Sequence, residues 1–278
     1  MVGGQKTFEV GNMKRTVING IEISYNVNGE GKAVMLIGGF GMVKEGWAAQ
    51  VADLEEHFQV ITFDNRGVGE STVPSESFTI DDMAADVVGL LDHLGIDEAL
   101  VFGTSMGGLI TQALVLDYPD RVRKAVLGCT SHGGRHAVQP EPEVMEALAS
   151  IAIPGMSPEE VARKRLPLIF SDRFLREEPE QVEAFLAHSI QYQPPPQGAA
   201  GQMKALSFFN VKRRLGEIQC PVLVMTGDED RMMPPENATL LVEGIPGADL
   251  YVVRGCGHSF FLERPDEVNR VLINFFKE

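Results

Sequence analysis

The chain is poor in cysteine, in positive charge and in long apolar runs. Its three cysteines, Cys129, Cys220 and Cys256, are widely spaced among 278 residues, which predicts free thiols in a cytoplasmic protein rather than a disulfide framework. Lysine and arginine number 24 against 39 aspartate and glutamate residues, and the net charge of −15 disfavours nucleic acid and anionic membrane surfaces as partners. No apolar stretch is long enough to span a bilayer, and residues 1–14 lack the pattern of a signal peptide.

The residues that are present predict an α/β fold with a sizeable core. Hydrophobic residues make up 44% of the sequence and charged residues 23%, as in ordinary globular proteins. Short apolar runs of the kind that form buried parallel strands alternate with helical patterns. One helix is predicted at residues 47–58, and another begins at the capping pair Thr79 and Asp82 and ends at Gly95. The predicted strands lie at residues 21–25, 34–37, 60–63, 100–102, 125–127, 222–225 and 250–253, and a closing helix lies at 265–276.

The alternation stops between residues 131 and 215. That segment carries prolines between three or four predicted helices, and a strand–helix series with one helical insertion is typical of a parallel sheet that carries a cap. We therefore divide the chain into a first part of the core at residues 1–130, a helical cap at 131–215 and a second part of the core at 216–278. Within the cap, the apolar pair Phe208 and Phe209 is expected to face the cleft between cap and sheet.

The segment Gly103-Thr104-Ser105-Met106-Gly107 carries the clearest chemical signal. It joins an apolar strand to a helical pattern over residues 109–118, and a serine on such a sharp turn has strained backbone angles. The glycines two positions away on each side leave room for the turn, so that the hydroxyl projects from the sheet. We predict that Ser105 is a nucleophile.

A serine hydroxyl needs a base within hydrogen-bond reach. Among six histidines, His258 fits this role because it lies in a glycine-flanked loop directly after the last predicted strand. His132 and His136 follow another strand end and are secondary candidates. The remaining three histidines are interpreted as solvated side chains, namely His57, His93 and His188.

The acid that orients the base is expected at a strand end between the serine and the histidine. Asp228, Glu229 and Asp230 all follow the strand at residues 222–225, and their spacing alone does not choose among them. One of these carboxylates should hold the imidazole tautomer and stabilise the imidazolium that forms during catalysis.

Five motifs together resemble the α/β-hydrolase family. The serine, the acids and the histidine also follow one another in the chain order of that family. The resemblance implies a mostly parallel, doubly wound sheet and aligns Asp230 with the catalytic acid. The motifs lie at residues 64–71 (Asp-Asn-Arg-Gly-Val-Gly-Glu-Ser), 103–107, 118–122, 227–230 with Pro234, and 257–258 with Glu263-Arg264-Pro265.

The same resemblance implies an oxyanion hole built from two backbone N–H groups. One group belongs to Met106, and the other belongs to Phe40 in the segment Gly38-Gly39-Phe40-Gly41. The family usually has a histidine where this chain has Gly38, so a side chain that would order the loop is missing.

A serine at this turn argues against haloalkane dehalogenases and epoxide hydrolases, whose relatives carry aspartate there. We expect hydrolysis of a small-molecule carboxylic ester or lactone through an acyl-enzyme, with the resemblance strongest to the enol-lactonase and small-ester branch. The alternatives are a C–C bond hydrolase of dienoic ring-cleavage products, a cofactor-free perhydrolase or haloperoxidase, and a non-catalytic ligand sensor. The histidines, cysteines and acids lack metal-ligand spacing, so no metal and no cofactor is predicted, and no pattern indicates an oligomeric state.

Overall fold

The computed structural model describes residues 14–151 and 155–278, and an eight-stranded sheet runs through this part of the chain. The expectation of no signal peptide concerns a segment that lies almost wholly outside the described residues. The strands are β1 (Lys14–Ile18), β2 (Ile21–Asn28), β3 (Ala33–Ile37), β4 (Gln59–Phe63), β5 (Ala99–Thr104), β6 (Val122–Gly128), β7 (Val222–Gly227) and β8 (Asp249–Val253). The helices are α1 (Ala48–Leu54), α2 (Ile80–Leu94), α3 (Met106–Asp117), α4 (Pro142–Ile151), α5 (Pro158–Ile169), α6 (Asp172–Glu177), α7 (Pro179–Gln191), α8 (Pro196–Phe208), α9 (Glu236–Gly244), α10 (Phe260–Glu263) and α11 (Pro265–Lys277).

The sheet is mostly parallel, as the predicted fold class requires. Its spatial order is β1-β2-β4-β3-β5-β6-β7-β8. Strands β1 and β2 form an antiparallel hairpin, β2 pairs antiparallel with β4, and the other neighbouring pairs are parallel. The α/β-hydrolase architecture expected from the motifs is therefore confirmed.

Apolar clusters cover both faces of the sheet. Successive residues of a strand point to opposite faces and therefore contribute to different clusters. Along β3, Met35 and Ile37 belong to one apolar cluster, and Val34 and Leu36 belong to the other. Helices α2 and α3 contribute to the first cluster, while α1 and α11 contribute to the second. This arrangement accounts for the continuous apolar runs of the central strands.

The predicted limits of α2 are confirmed, whereas those of α1 are wrong. Thr79 and Asp82 form a reciprocal capping box at the start of α2, and Gly95 ends the helix in the left-handed region with φ of 68°. The helix expected at residues 47–58 covers only α1, after a 3-10 turn at Lys44–Trp47. It stops early because the chain must bury Phe58 and turn directly into β4.

The segment between β6 and β7, called the insertion below, contains five α-helices in its described residues, α4 to α8, rather than three or four. The additional helix boundaries arise where the Ser171 side chain caps the start of α6 and Pro179 starts α7. The expectation that Phe208 and Phe209 face the cleft is wrong. Phe208 is 78% exposed, and Phe209 is buried in the apolar cluster beside the sheet, because neighbouring residues at a helix end point in different directions.

Candidate active site

Ser105 occupies the tight turn between β5 and α3. Its φ of 53° and ψ of −116° lie outside the regions favoured by residues with a side chain, so the turn is strained. Hydrogen bonds hold it there: the Ser105 N–H donates to the Gly128 carbonyl at 2.8 Å, and the Ser105 carbonyl accepts from Thr130 Oγ1 at 2.8 Å. The surrounding structure thus fixes the hydroxyl at the carboxyl edge of the parallel strands.

The two glycines of the serine motif are required by close packing. A Cβ atom on Gly103 would overlap the Gly107 carbonyl oxygen, and a Cβ on Gly107 would overlap the carbonyl oxygen of Ile37. Any larger residue at either position would push α3 away from the sheet and move Ser105 with it.

His258 and Asp230 form a buried pair near this edge of the sheet. Nδ1 of His258 lies 2.8 Å from Oδ2 of Asp230, and the two residues are 8% and 3% exposed. The other carboxylate oxygen, Oδ1, accepts the N–H groups of Met232 at 2.9 Å and Met233 at 2.8 Å. The carboxylate is therefore held by the backbone on one side and orients the imidazole on the other, while Nε2 of His258 has no hydrogen-bond partner among the described residues.

The other acid and base candidates have different positions and hydrogen-bond partners. Asp228 accepts the Gly255 N–H at 2.6 Å and pairs with Arg254 at 3.2 Å, so its carboxylate stabilises the turn after β8. His132 is buried and bonds the neighbouring Gly133 carbonyl at 2.7 Å, and burial lowers the pKa of its imidazole. His136 lines a separate depression, and neither of these histidines reaches the cavity that contains Ser105.

Glu263 holds the histidine loop against the insertion. Its Oε1 accepts the Gly257 N–H at 2.8 Å and the Ser171 N–H at 3.0 Å, while Oε2 accepts the Ser171 hydroxyl. The Ser259 N–H donates to the Ile169 carbonyl at 2.8 Å. The residues on both sides of His258 are thus bonded to Glu263 or to the insertion.

The segment of Gly38 to Gly41 packs directly over the serine. A Cβ on Gly39 would lie 3.2 Å from the Ser105 Cβ, so this position brings the backbone close to the hydroxyl. Within residues 14–151 and 155–278, the N–H groups of Phe40 and Met106 donate to no protein acceptor. Two free donors beside the predicted nucleophile are what stabilisation of an oxyanion would require.

Gln202 of α8 supplies an anchor for this segment that sequence reasoning missed. The side chain is completely buried; its Oε1 accepts the Gly41 N–H at 3.0 Å and its Nε2 donates to the Arg66 carbonyl at 3.0 Å. Asn65 adds a bond from Nδ2 to the Gly38 carbonyl at 3.1 Å. The ordering side chain expected at position 38 is absent, but the loop is held from the insertion and from the turn after β4.

A cavity of about 440 Å³ opens between the insertion and the carboxyl edge of the sheet, within the range of small-molecule sites. Ser105, His258 and Phe40 line it from the sheet side, where ligands of parallel α/β sheets bind. The interpretation of His188 as solvated is wrong, because it lines the cavity with a buried Nε2 that has no hydrogen-bond partner among the described residues. The insertion side includes Arg165, Phe170, Phe174, Phe185, His188 and Tyr192.

The described ranges contain neither a candidate metal cluster nor a candidate membrane-spanning helix. Across residues 14–151 and 155–278, no group of three or more His, Cys, Asp or Glu side chains is arranged to hold a metal ion. Over the same ranges, every helix is too short or too polar to cross a membrane.

Comparison with known proteins shows one family and several activities. A family model described as the alpha/beta hydrolase fold matches residues 32–265. A relative from Azorhizobium caulinodans, named a carbamate hydrolase, is 28% identical over 92% of this chain and 96% of its own. The 2-hydroxy-6-oxo-6-phenylhexa-2,4-dienoate hydrolase of Comamonas testosteroni is 30% identical over 92% and 91%. The structure of an enol-lactonase from Burkholderia xenovorans LB400 has a TM-score of 0.84 and 28% identity, over 95% of this chain and 100% of that one.

Proposed function

This chain belongs to the α/β-hydrolase family and is a hydrolase, and we propose that it cleaves carboxylic esters or lactones through an acyl-enzyme on Ser105. The observation that supports the proposal is that Ser105 and an acid-paired histidine line one cavity. The strained Ser105 lines the same cavity as His258, and the His258 imidazole is bonded to the buried Asp230 carboxylate. The relatives differ in the bond that they cleave, but each name describes a hydrolase or a lactonase.

In the proposed reaction, the Ser105 hydroxyl attacks the carbonyl carbon while Nε2 of His258 takes its proton. Asp230 keeps the imidazole in the productive tautomer and stabilises the imidazolium. The N–H groups of Phe40 and Met106 stabilise the negative charge on the carbonyl oxygen of the tetrahedral intermediate. The imidazolium then protonates the leaving alcohol, and a water molecule deprotonated by His258 releases the acid from the acyl-enzyme.

We also propose the 131–215 segment as a cap over this site and a small molecule as the substrate. Three free cysteines support a reducing compartment such as the cytoplasm. C–C bond hydrolysis is the second candidate function, supported by the dienoate hydrolase among the relatives. The short segment Gly38 to Gly41 lacks the longer glycine-rich stretch with histidine and proline that is usual in such hydrolases, which favours the ester and lactone proposal.

The proposal is tested with a panel of p-nitrophenyl esters of increasing acyl length and a panel of lactones, followed with wild type and with Ser105→Ala. We expect turnover that Ser105→Ala abolishes while the variant keeps the melting temperature of the wild type. The better panel distinguishes an esterase from a lactonase. Turnover that survives in Ser105→Ala contradicts the nucleophile assignment, and activity only on dienoic substrates favours the second candidate. Tight binding without turnover favours the ligand sensor.

A further inference from the structure

Among the described residues, Arg165 on α5 is a cation that faces the cavity without a protein partner. The residue is half-buried and lines the cavity with Ser105 and His258. In the described part of the chain its guanidinium has no ion pair and no hydrogen bond. Nearby arginines of the insertion differ: Arg163 pairs with Glu159 and Glu183, and Arg173 pairs with Glu177, all of them at exposed positions.

The surroundings of Arg165 do not neutralise its charge. Burial lowers the pKa of the guanidinium, and no neighbouring carboxylate offsets this effect. Glu45 is the single carboxylate among the described residues that line the cavity, and its Oε1 is bonded to Lys44 Nζ at 3.0 Å. A buried charge without a counter-charge destabilises a fold, so its position in a ligand cavity points to an anion that arrives with the ligand.

We infer that Arg165 binds a carboxylate of the substrate, so that the preferred ester or lactone carries an anionic group at a distance from the scissile carbonyl. This inference rests on the proposed function, because it names the substrate class of the same site. The planar guanidinium presents paired N–H donors that match the two oxygens of a carboxylate. The phenyl rings of Phe170, Phe174 and Phe185 line the same cavity and would contact the apolar part of such a substrate.

Two other features of the site fit this assignment. Burial lowers the pKa of His188, so its imidazole is neutral at pH 7 and leaves Arg165 as the permanent cation of the insertion side. The overall charge of −15 does not prevent binding of an anion, because repulsion between exposed charges is screened beyond about 8 Å at physiological ionic strength. Direct contact with the Arg165 guanidinium then decides whether the cavity prefers an anionic or a neutral substrate.

The test uses monoethyl esters of straight-chain dicarboxylic acids, from succinic to suberic acid, and the matched esters in which the free carboxylate is a carboxamide. Hydrolysis is followed by pH-stat titration, and the readout is the kcat/KM ratio of each acid to its amide. We expect wild type to favour the acid, and Arg165→Met to reduce the ratio by about 10- to 100-fold, the size of a lost charge-assisted hydrogen-bond pair. Arg165→Lys should restore part of the ratio.

Arg163→Met is the matched control, because it removes an exposed positive charge from the same helix and should leave the ratio unchanged. A second measurement does not require turnover: in the Ser105→Ala background, free dicarboxylates should raise the melting temperature, and adding Arg165→Met should remove the rise. The inference is overturned if neutral esters are hydrolysed in a Ser105-dependent way and Arg165→Met changes neither the ratio nor the melting temperature. That result would leave the proposed function intact. Arg165-dependent stabilisation without any turnover supports the anion site and contradicts the proposed function.

Discussion

Replacing Gln202 by methionine should lower the rate of hydrolysis although the residue lies outside the reacting groups. Methionine has about the same length, so it preserves packing but removes both amide bonds. The Gly41 N–H and the Arg66 carbonyl, each bonded to the amide at 3.0 Å, would then be left without a partner in a site where Gln202 is fully buried. Each unpaired buried group costs about 1–3 kcal/mol, so the free energy of unfolding should fall by about 2–6 kcal/mol if water does not enter.

The effect on catalysis follows from the position of Gly41 next to Phe40, the proposed oxyanion donor. Complete loss of such a donor costs about 3 kcal/mol of transition-state stabilisation, or roughly a hundredfold in kcat. Gln202→Met displaces the donor without removing it, and Asn65 still holds the Gly38 carbonyl at 3.1 Å. We therefore expect kcat to fall by about tenfold, and kcat/KM to fall with it, because the interaction is strongest in the transition state.

The assay combines initial rates on a p-nitrophenyl ester with urea unfolding of the same preparations. Asn237→Leu is the matched control, because Asn237 is also a fully buried amide that bonds both backbone groups of one residue, Val138, at 2.9 and 2.8 Å. It does not touch the segment of Gly38 to Gly41. We expect both variants to lose stability and only Gln202→Met to lose kcat. An unchanged kcat in a folded Gln202→Met protein, or equal losses of kcat in both variants, would refute the reasoning.

Two further predictions concern charge and titration. Asp230→Asn should lower kcat by about 10³- to 10⁴-fold, because an amide favours the wrong imidazole tautomer, whereas Asp228→Asn should change kcat little; the reverse ranking in steady-state kinetics would move the acid to Asp228. Burial raises the pKa of Cys256 to about 12, so its thiol stays protonated at pH 8 and should resist iodoacetamide in the folded protein but react in urea, as mass spectrometry would detect. The unfolded thiol ionises near 9.0, whereas the folded thiol ionises only near 12. The free energy of unfolding, measured by urea titration, should therefore fall as the pH rises from 9 towards 12. Rapid iodoacetamide labelling of Cys256 in the native protein at pH 8 would contradict the raised pKa.

Those parts of the fold that depend on local pattern could be predicted from the sequence. The strands of the sheet are short apolar runs because both faces are covered, and the limits of α2 follow from the side-chain chemistry of Thr79, Asp82 and Gly95. The turn at Ser105 was predictable for a related reason. Its glycines have no room for a Cβ, and that requirement is visible in the spacing of two glycines around one serine.

The insertion side of the cavity could not be predicted, because helical periodicity defines which face of a helix is apolar but not which part of the sheet that face covers. His188 and Gln202 are polar residues that a pattern assigns to solvent, yet one lines the cavity and the other is fully buried against the core. Arg165 follows two other basic residues in the sequence Arg163-Lys164-Arg165, and nothing local separates the cation that faces the cavity from those that face water. Only the packing of α5, α7 and α8 in the folded protein makes that distinction.

The insertion therefore does more than cover the site, because it also anchors two of the loops that form it. It bonds the segment of Gly38 to Gly41 through Gln202 and the histidine loop through Ser171, whose N–H and hydroxyl both contact Glu263. Lifting the insertion as a rigid body would break these bonds together, at about 0.5–1.5 kcal/mol each, and would release the loops that carry Phe40 and His258. The geometry that the proposed acyl transfer needs is thus expected only while the insertion is docked.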